Sequence, residues 1–169
     1  GMGCTFCATG QMGFSRHLTS AEIFEQASRF SRELRRRGER LSNVVFMGMG
    51  EPLANYNNVL EAARRIHDEL GVGARHITIS TVGLARGIEK LADEDIPVTL
   101  AVSLHQADDE SRSAIMPVNR RYDIETLLSS INTYQKKTKR RVTFEWAAIQ
   151  GENDDEQAAR KLGKLLKQH

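Results

Sequence analysis

Residues 43–52 read N-V-V-F-M-G-M-G-E-P, a short β-branched and aromatic run that ends in a glycine turn and a proline. The apolar run suits a buried strand, and Gly48-Met49-Gly50-Glu51-Pro52 is a small-residue turn that lets backbone N–H groups come close to a ligand. The next stretch is amphipathic. After Asn57 or Asn58, residues Val59, Ala63, Ile66 and Leu70 share one helical face, and Gly71 stops the segment. The unit is strand, turn, helix.

The same order recurs downstream. H-I-T-I-S at 76–80, V-T-L-A-V-S at 98–103 and R-V-T-F-E-W-A-A-I at 141–149 each read as strands, and their near-continuous apolar character predicts a parallel sheet covered by helices. Short helices are expected near Leu84 to Ala92 and Asp108 to Ile115. A longer one opens at Asp123 with Ile124, Leu127, Leu128, Ile131 and Tyr134 inward. The last opens at Asp154 with Gln157 and carries Ala158, Leu162, Leu165 and Leu166. Upstream, Thr19 and Glu22 form a capping box, Ile23, Ala27, Phe30 and Leu34 recur at helical spacing, and Gly38 ends the helix.

A helix followed by four strand–helix units predicts a parallel β/α array with right-handed crossovers. A complete eight-unit barrel takes ~250 residues, so a chain of 169 residues predicts a single α/β domain that is a partial barrel or an open sheet. No repeat or linker divides it. With 24 Lys+Arg against 22 Asp+Glu and 40% hydrophobic residues, the composition is that of a soluble globular protein rather than a disordered or disulfide-rich one. No apolar run reaches the ~18–20 residues of a membrane span, and no signal peptide is evident, so a cytoplasmic location with no membrane partner is expected.

Ligands of β/α sheets bind beyond the C-terminal ends of the strands. At the first exit Glu51 either holds a ligand's ammonium or caps the following helix. The second exit offers Ser80-Thr81-Val82-Gly83, whose hydroxyls bond a ligand or cap a helix. The third offers Ser103-Leu104-His105, and a lone histidine is more often structural than catalytic. The fourth strand carries Glu145 within an apolar run, which needs either a partner inside the fold or a place facing the pocket, and ends at Gln150.

Cys4 and Cys7 are the only cysteines and precede the first helix, so their loop also reaches this rim. A disulfide between them would not staple a domain. Zinc lacks further ligands beyond distant histidines such as His17. A dithiol motif would open a helix directly after a strand, and Ala8-Thr9-Gly10-Gln11-Met12-Gly13 reads as a poor helix start. Two thiolates are few for a four-iron cluster. The pair alone leaves the choice open.

G-M-G-C-T-F-C-A-T-G-Q-M-G-F at 1–14, M-G-M-G-E-P-L-A-N-Y at 47–56, I-S-T-V-G at 79–83, S-L-H at 103–105 and M-P-V-N-R-R-Y at 116–122 occur in that order. Together they resemble the radical S-adenosylmethionine RNA methyltransferases that methylate adenine C2 in large-subunit ribosomal RNA and transfer RNA, close relatives of the C8 methyltransferases. The resemblance runs from Gly1 to His169.

That resemblance implies a partial (β/α) barrel of the radical SAM type, mainly parallel strands with outer helices, lacking the first and last strands. It implies a [4Fe–4S] cluster held by Cys-x-x-x-Cys-x-x-Cys, of which Cys4 and Cys7 match the second and third cysteines. The first would stand immediately before Gly1. It assigns Gly50, Glu51, Ser80, Ser103, Leu104 and His105 to S-adenosylmethionine. In the family an electron from a donor enters the cluster, a 5′-deoxyadenosyl radical forms, and an S-methylcysteine near the C-terminus carries the methyl.

No cysteine follows Cys7. The expectation is therefore a central fragment, without the family's N-terminal RNA-binding region and C-terminal segment, in which the cluster is absent or unstable and methyl transfer does not occur. The other readings are a non-catalytic module binding S-adenosylmethionine or RNA, and an unrelated zinc- or dithiol-dependent β/α enzyme.

Arg29, Arg32, Arg35, Arg36, Arg37 and Arg40, and Lys136 to Arg141, are basic clusters that either neutralise phosphates or form solvated helix faces. Asn119, Arg120 and Arg121, beyond a strand end, are better placed to touch RNA. Unpaired strand edges predict a dimer or a strand-swapped arrangement.

Overall fold

A computed structural model describes residues 2–167. The strands are β1 (Val44–Phe46), β2 (Ile77–Thr81), β3 (Thr99–Ser103) and β4 (Val142–Glu145), all parallel and in the order β1-β2-β3-β4. Neighbours in sequence are neighbours in the sheet. Crossovers of one hand then carry the long connecting helices to the same face.

The sheet is accordingly two-faced. Val44, Phe46, Ile77, Ile79, Leu100, Val102, Val142 and Phe144 join one apolar cluster with the helices. The alternate positions turn the other way: Val45, Thr78, Ser80, Thr99, Ala101, Ser103, Thr143 and Glu145. The expectation of a sheet covered by helices holds for one face, and the period-2 pattern makes the other polar.

β4 ends at Glu145, well short of Ile149. There the chain is captured by Asn153. Its Oδ1 accepts from Ile149 N at 2.7 Å, its Nδ2 donates to Ala147 O at 3.0 Å, and its carbonyl accepts from Trp146 Nε1 at 3.2 Å. Backbone groups engaged by a side chain are not available to a strand ladder.

The helices are α1 (Ala8–Gln11), α2 (Ser20–Arg36), α3 (Tyr56–Leu70), α4 (Ala85–Leu91), α5 (Asp109–Ile115), α6 (Ile124–Thr138) and α7 (Glu156–Lys167). Thr19 and Glu22 close the capping box before α2. The buried face of α2 is Phe24, Ala27 and Ser31, whereas Phe30, expected inward, is 65% exposed. Phe24, not Phe30, is one turn from Ala27 on the covered side, and Arg65 stacks over its ring at 4.0 Å.

α3 begins earlier than Asn57, because a 3-10 turn at Pro52–Asn55 leads into it, and Gly71 ends it at φ 74°. α6 starts at Asp123, whose Oδ1 accepts from Thr126 N at 2.8 Å, and buries Ile124, Leu127, Leu128, Ile131 and Tyr134. At the last helix Asp155 rather than Asp154 accepts from Ala158 N, at 2.7 Å. Among the described residues no helix is long and apolar enough to cross a membrane.

Candidate functional site

The cysteine loop meets the residues that leave the second and third strands. At the first exit Gly50 takes φ 122°, a conformation that L side chains rarely adopt. Glu51, which follows it, is buried. Its Oε1 accepts from Leu53 N at 2.9 Å and its Oε2 from Val82 N at 2.8 Å. The capping reading of Glu51 is the geometry found, and the same carboxylate ties the first exit to the second. Burial pushes its carboxyl up, against the two backbone N–H groups that favour the charged form.

Glu145 has found partners inside the fold. Ser80 Oγ donates to its Oε2 at 2.9 Å and Ser103 Oγ donates to the same oxygen at 3.1 Å. Three strands thus converge on one carboxylate. Just beyond, Leu104 N and His105 N both donate to Glu145 O, at 3.0 and 3.3 Å, extending the β3–β4 pairing past the end of β3.

His105 has φ 59°, an unusual conformation for a residue with a side chain. Ala147 N donates to its Nδ1 at 2.9 Å and Asn153 Nδ2 donates to its carbonyl at 2.7 Å. These contacts over-determine the backbone, as a strained position requires. A neutral imidazole that accepts at Nδ1 carries its proton on Nε2. Burial holds its pKa below the usual 6.5, with Glu145 working in the opposite direction.

Below the rim lies Arg112, on α5 and fully buried. Its Nε donates to Leu104 O at 3.1 Å, Nη2 to Val82 O at 2.8 Å and Ser103 O at 3.1 Å, and Nη1 to Asn119 Oδ1 at 2.7 Å. One guanidinium therefore locks the exits of β2 and β3 together. Burial lowers its pKa to about 10. Arg112 was not legible as a site residue in sequence, although it stands three residues before buried Ile115 on the covered face of α5.

Asn119 belongs to this buried network. Its Nδ2 donates to Asp109 Oδ1 and to Ser113 Oγ, both at 2.9 Å, so its amide is committed inside the fold and is not presented to an RNA. Arg120 and Arg121 remain exposed, with Arg121 over the Tyr122 ring at 5.3 Å. Among the basic clusters, Arg32 pairs with Glu25, Arg36 and Arg37 with Glu33, and Lys137 with Asp93. Much of that charge is balanced locally.

The cysteine loop is a tight turn: Cys7 N donates to Cys4 O at 3.2 Å, and Cys7 then caps α1. The residues read as a poor helix start do make one helical turn, which brings Gly10 back onto the cysteines. A Cβ on Gly10 would lie 3.2 Å from Cys4 O and 3.6 Å from Cys7 Cβ. The loop is pinned to the rim by Thr5 N, which donates to Ile115 O at 2.9 Å, and by the Phe6 ring, which meets His105 edge-on at 4.9 Å.

Both cysteines are free thiols. Burial, then the neighbouring Cys7, raises the pKa of Cys4, and Arg112 partly offsets this. Soft sulfur donors in one turn suit iron or zinc. Among the described residues no group of three or more His, Cys, Asp or Glu is placed to hold a metal ion, and the loop offers two sulfur donors. Gly1 lies outside the described residues.

A family model described as the radical SAM superfamily matches residues 1–162. The probable dual-specificity RNA methyltransferase RlmN of Chloroflexus aurantiacus is 53% identical over 174 residues, covering 99% of this chain and 46% of the relative. The ribosomal RNA large subunit methyltransferase N of Nitrosopumilus maritimus is 48% identical, covering 98% of this chain and 48% of the relative. Among solved structures, a radical SAM methyltransferase from Sphaerobacter thermophilus superposes with a TM-score of 0.95 at 46% identity, covering 98% of this chain and 49% of that one. The chain spans about half the length of the curated relatives it matches.

Proposed function

Because the chain belongs to the radical SAM superfamily, we propose that it is the S-adenosylmethionine-binding core of an RNA methyltransferase acting at adenine C2 of large-subunit ribosomal RNA and transfer RNA. The observation that carries the reading is the meeting of the cysteine loop with the strand-end rim, where Phe6 packs edge-on against His105 at 4.9 Å. Radical chemistry needs cysteine ligands and cofactor residues side by side, and the contact between the loop and His105 supports the reading.

In this reading Cys4 and Cys7 hold the [4Fe–4S] cluster together with a third cysteine. When bound, the cluster supplies the electron that opens the cofactor's sulfonium, drawn from an external donor. The chain's own part is positioning. Ser80 and Ser103 border the cofactor on the polar face with His105 just beyond them, and Leu104 is buried in the apolar cluster and holds that exit from the other side. Gly50 lets backbone approach the cofactor, and Glu51 and Arg112 hold the exits in register. Phe6 packs against His105 and ties the loop to the rim. Arg120 and Arg121, exposed beyond α5, are the candidates for phosphate contact.

The 169 residues contain only these two cysteines. With both assigned to the cluster, no thiol remains to carry a methyl group. The chain by itself therefore binds without turning over, as a single core domain working in the cytoplasm as part of a longer enzyme. Its strand edges, β1 and β4, favour association with further strands or with a second copy.

The test is anaerobic reconstitution with iron and sulfide, followed by iron counting and calorimetric titration with S-adenosylmethionine. The reading expects sulfide-dependent iron uptake lost in Cys4→Ser, and cofactor binding at the rim. Stoichiometric zinc with no iron uptake would replace it with a zinc-dependent β/α enzyme. Methyl transfer to RNA by the 169-residue chain would overturn the expected inactivity.

A further inference from the structure

Ser80 and Ser103 stand on adjacent strands of the polar face, and both hydroxyls donate to one oxygen, Glu145 Oε2, at 2.9 and 3.1 Å. Ser103 and Glu145 are direct partners across β3 and β4, while Ser80 pairs with Ala101, one step below on the same face. Ala101 leaves space between them. A carboxylate only accepts hydrogen bonds, and a serine hydroxyl has one proton and two lone pairs. With both protons directed to Glu145, each serine has only lone pairs left for a ligand.

We infer that Glu145 is a positioning residue that fixes Ser80 and Ser103 as hydrogen-bond acceptors, so that this face takes the hydrogen-bond-donating part of a ligand, a hydroxyl or ammonium group, and rejects carboxylate or phosphate. The orientation of the serines rests on this chain's geometry alone. The identity of the ligand rests on the reading of this face as the S-adenosylmethionine site.

The test has two arms. In the ligand-free protein, NMR follows exchange with water of the Ser80 and Ser103 hydroxyl protons. They exchange slowly in the wild type and at least about tenfold faster in Glu145→Ala, the scale of one lost charge-assisted hydrogen bond. Glu145→Leu, which fills the space but offers no acceptor, serves if the alanine variant does not fold. Unchanged exchange in a folded variant overturns the inference.

In the second arm the anaerobically reconstituted protein is titrated with S-adenosylmethionine, 5′-methylthioadenosine, which keeps the sugar hydroxyls but lacks the ammonium, and methionine, which has the reverse. Glu145→Leu, which removes the shared acceptor, weakens S-adenosylmethionine by about tenfold. Adding Ser80→Ala and Ser103→Ala to it costs little more, because Glu145 acts through the serines. Additive losses overturn the inference. Of the two smaller probes, the one whose binding falls in Glu145→Leu identifies the donor, and a fall in neither overturns donor recognition. If the wild type takes up no S-adenosylmethionine, the assignment of the face to that cofactor fails, and the exchange arm still decides the role of Glu145.

Discussion

The amide of Asn153 donates from Nδ2 to the backbone carbonyl of His105 at 2.7 Å, across 48 residues of chain. The loop after β4 is thereby fastened to the end of β3 at the point where the backbone turns left-handed. The same buried side chain serves Ala147 O and Ile149 N. Asn153→Ala leaves three backbone groups without these partners and is expected to cost roughly 2–4 kcal/mol, at ~1–3 kcal/mol for each group that water does not reach. Urea unfolding of the variant measures it. A loss below ~0.5 kcal/mol would mean that the loop is held by something else.

Arg112→Lys keeps a positive charge but not the planar fork that reaches carbonyls on two strands and Asn119 together. Unfolding in urea should show a loss of about 2–4 kcal/mol, consistent with buried polar groups left unpaired. Amide exchange at Val82, Gly83 and Leu104 should quicken while that of α3 stays slow. Equal acceleration everywhere would assign Arg112 to global stability only.

His105 carries a pH dependence with a defined sign. Burial lowers its folded pKa beneath the ordinary 6.5. Between those two values the unfolded chain binds a proton that the folded chain does not, so stability rises with pH across that window. It is fully present above 6.5 and lost as pH falls through the folded value. Protonation of Nδ1 would also end its role as acceptor from Ala147 N. The difference in unfolding free energy between wild type and His105→Gln, followed downward from neutrality, should shrink. A difference that grows on acidification contradicts the sign.

Phe24 and Phe30 separate under truncation. Phe24 is 9% exposed and in the main apolar cluster, whereas Phe30 is 65% exposed. Phe24→Ala is expected to cost about 3 kcal/mol and Phe30→Ala to stay within ~0.5 kcal/mol. Thermal unfolding of the two variants side by side decides it.

The element order, the capping box at Thr19 and the inward face of α6 were legible in sequence, because each rests on local periodicity and capping chemistry. The strand exits followed from topology. What escaped was long-range. Arg112 looks like one more arginine on a charged helix until Ile115 and Met116 show which face is covered. Asn153 and Asn119 are ordinary loop asparagines whose partners lie far along the chain. The two-faced sheet was present as Thr78-x-Ser80, Thr99-x-Ala101-x-Ser103 and Thr143-x-Glu145, alternating with Ile, Leu, Val and Phe, but such short strands read as continuous apolar runs. Phe30 was misplaced because helical spacing from Ala27 admits residues on either side of the true face.

Because every strand separates its two sets of side chains by parity alone, the length of each strand is counted residue by residue. Deleting one residue from β2 would send Ile79 toward the polar face and Ser80 into the helix layer. A deletion in β3 would exchange Val102 with Ser103 in the same way. Single-residue insertions and deletions should thus be confined to the connections at the opposite ends of the strands, such as the exposed Gly38-Glu39-Arg40 before Leu41 rejoins the core.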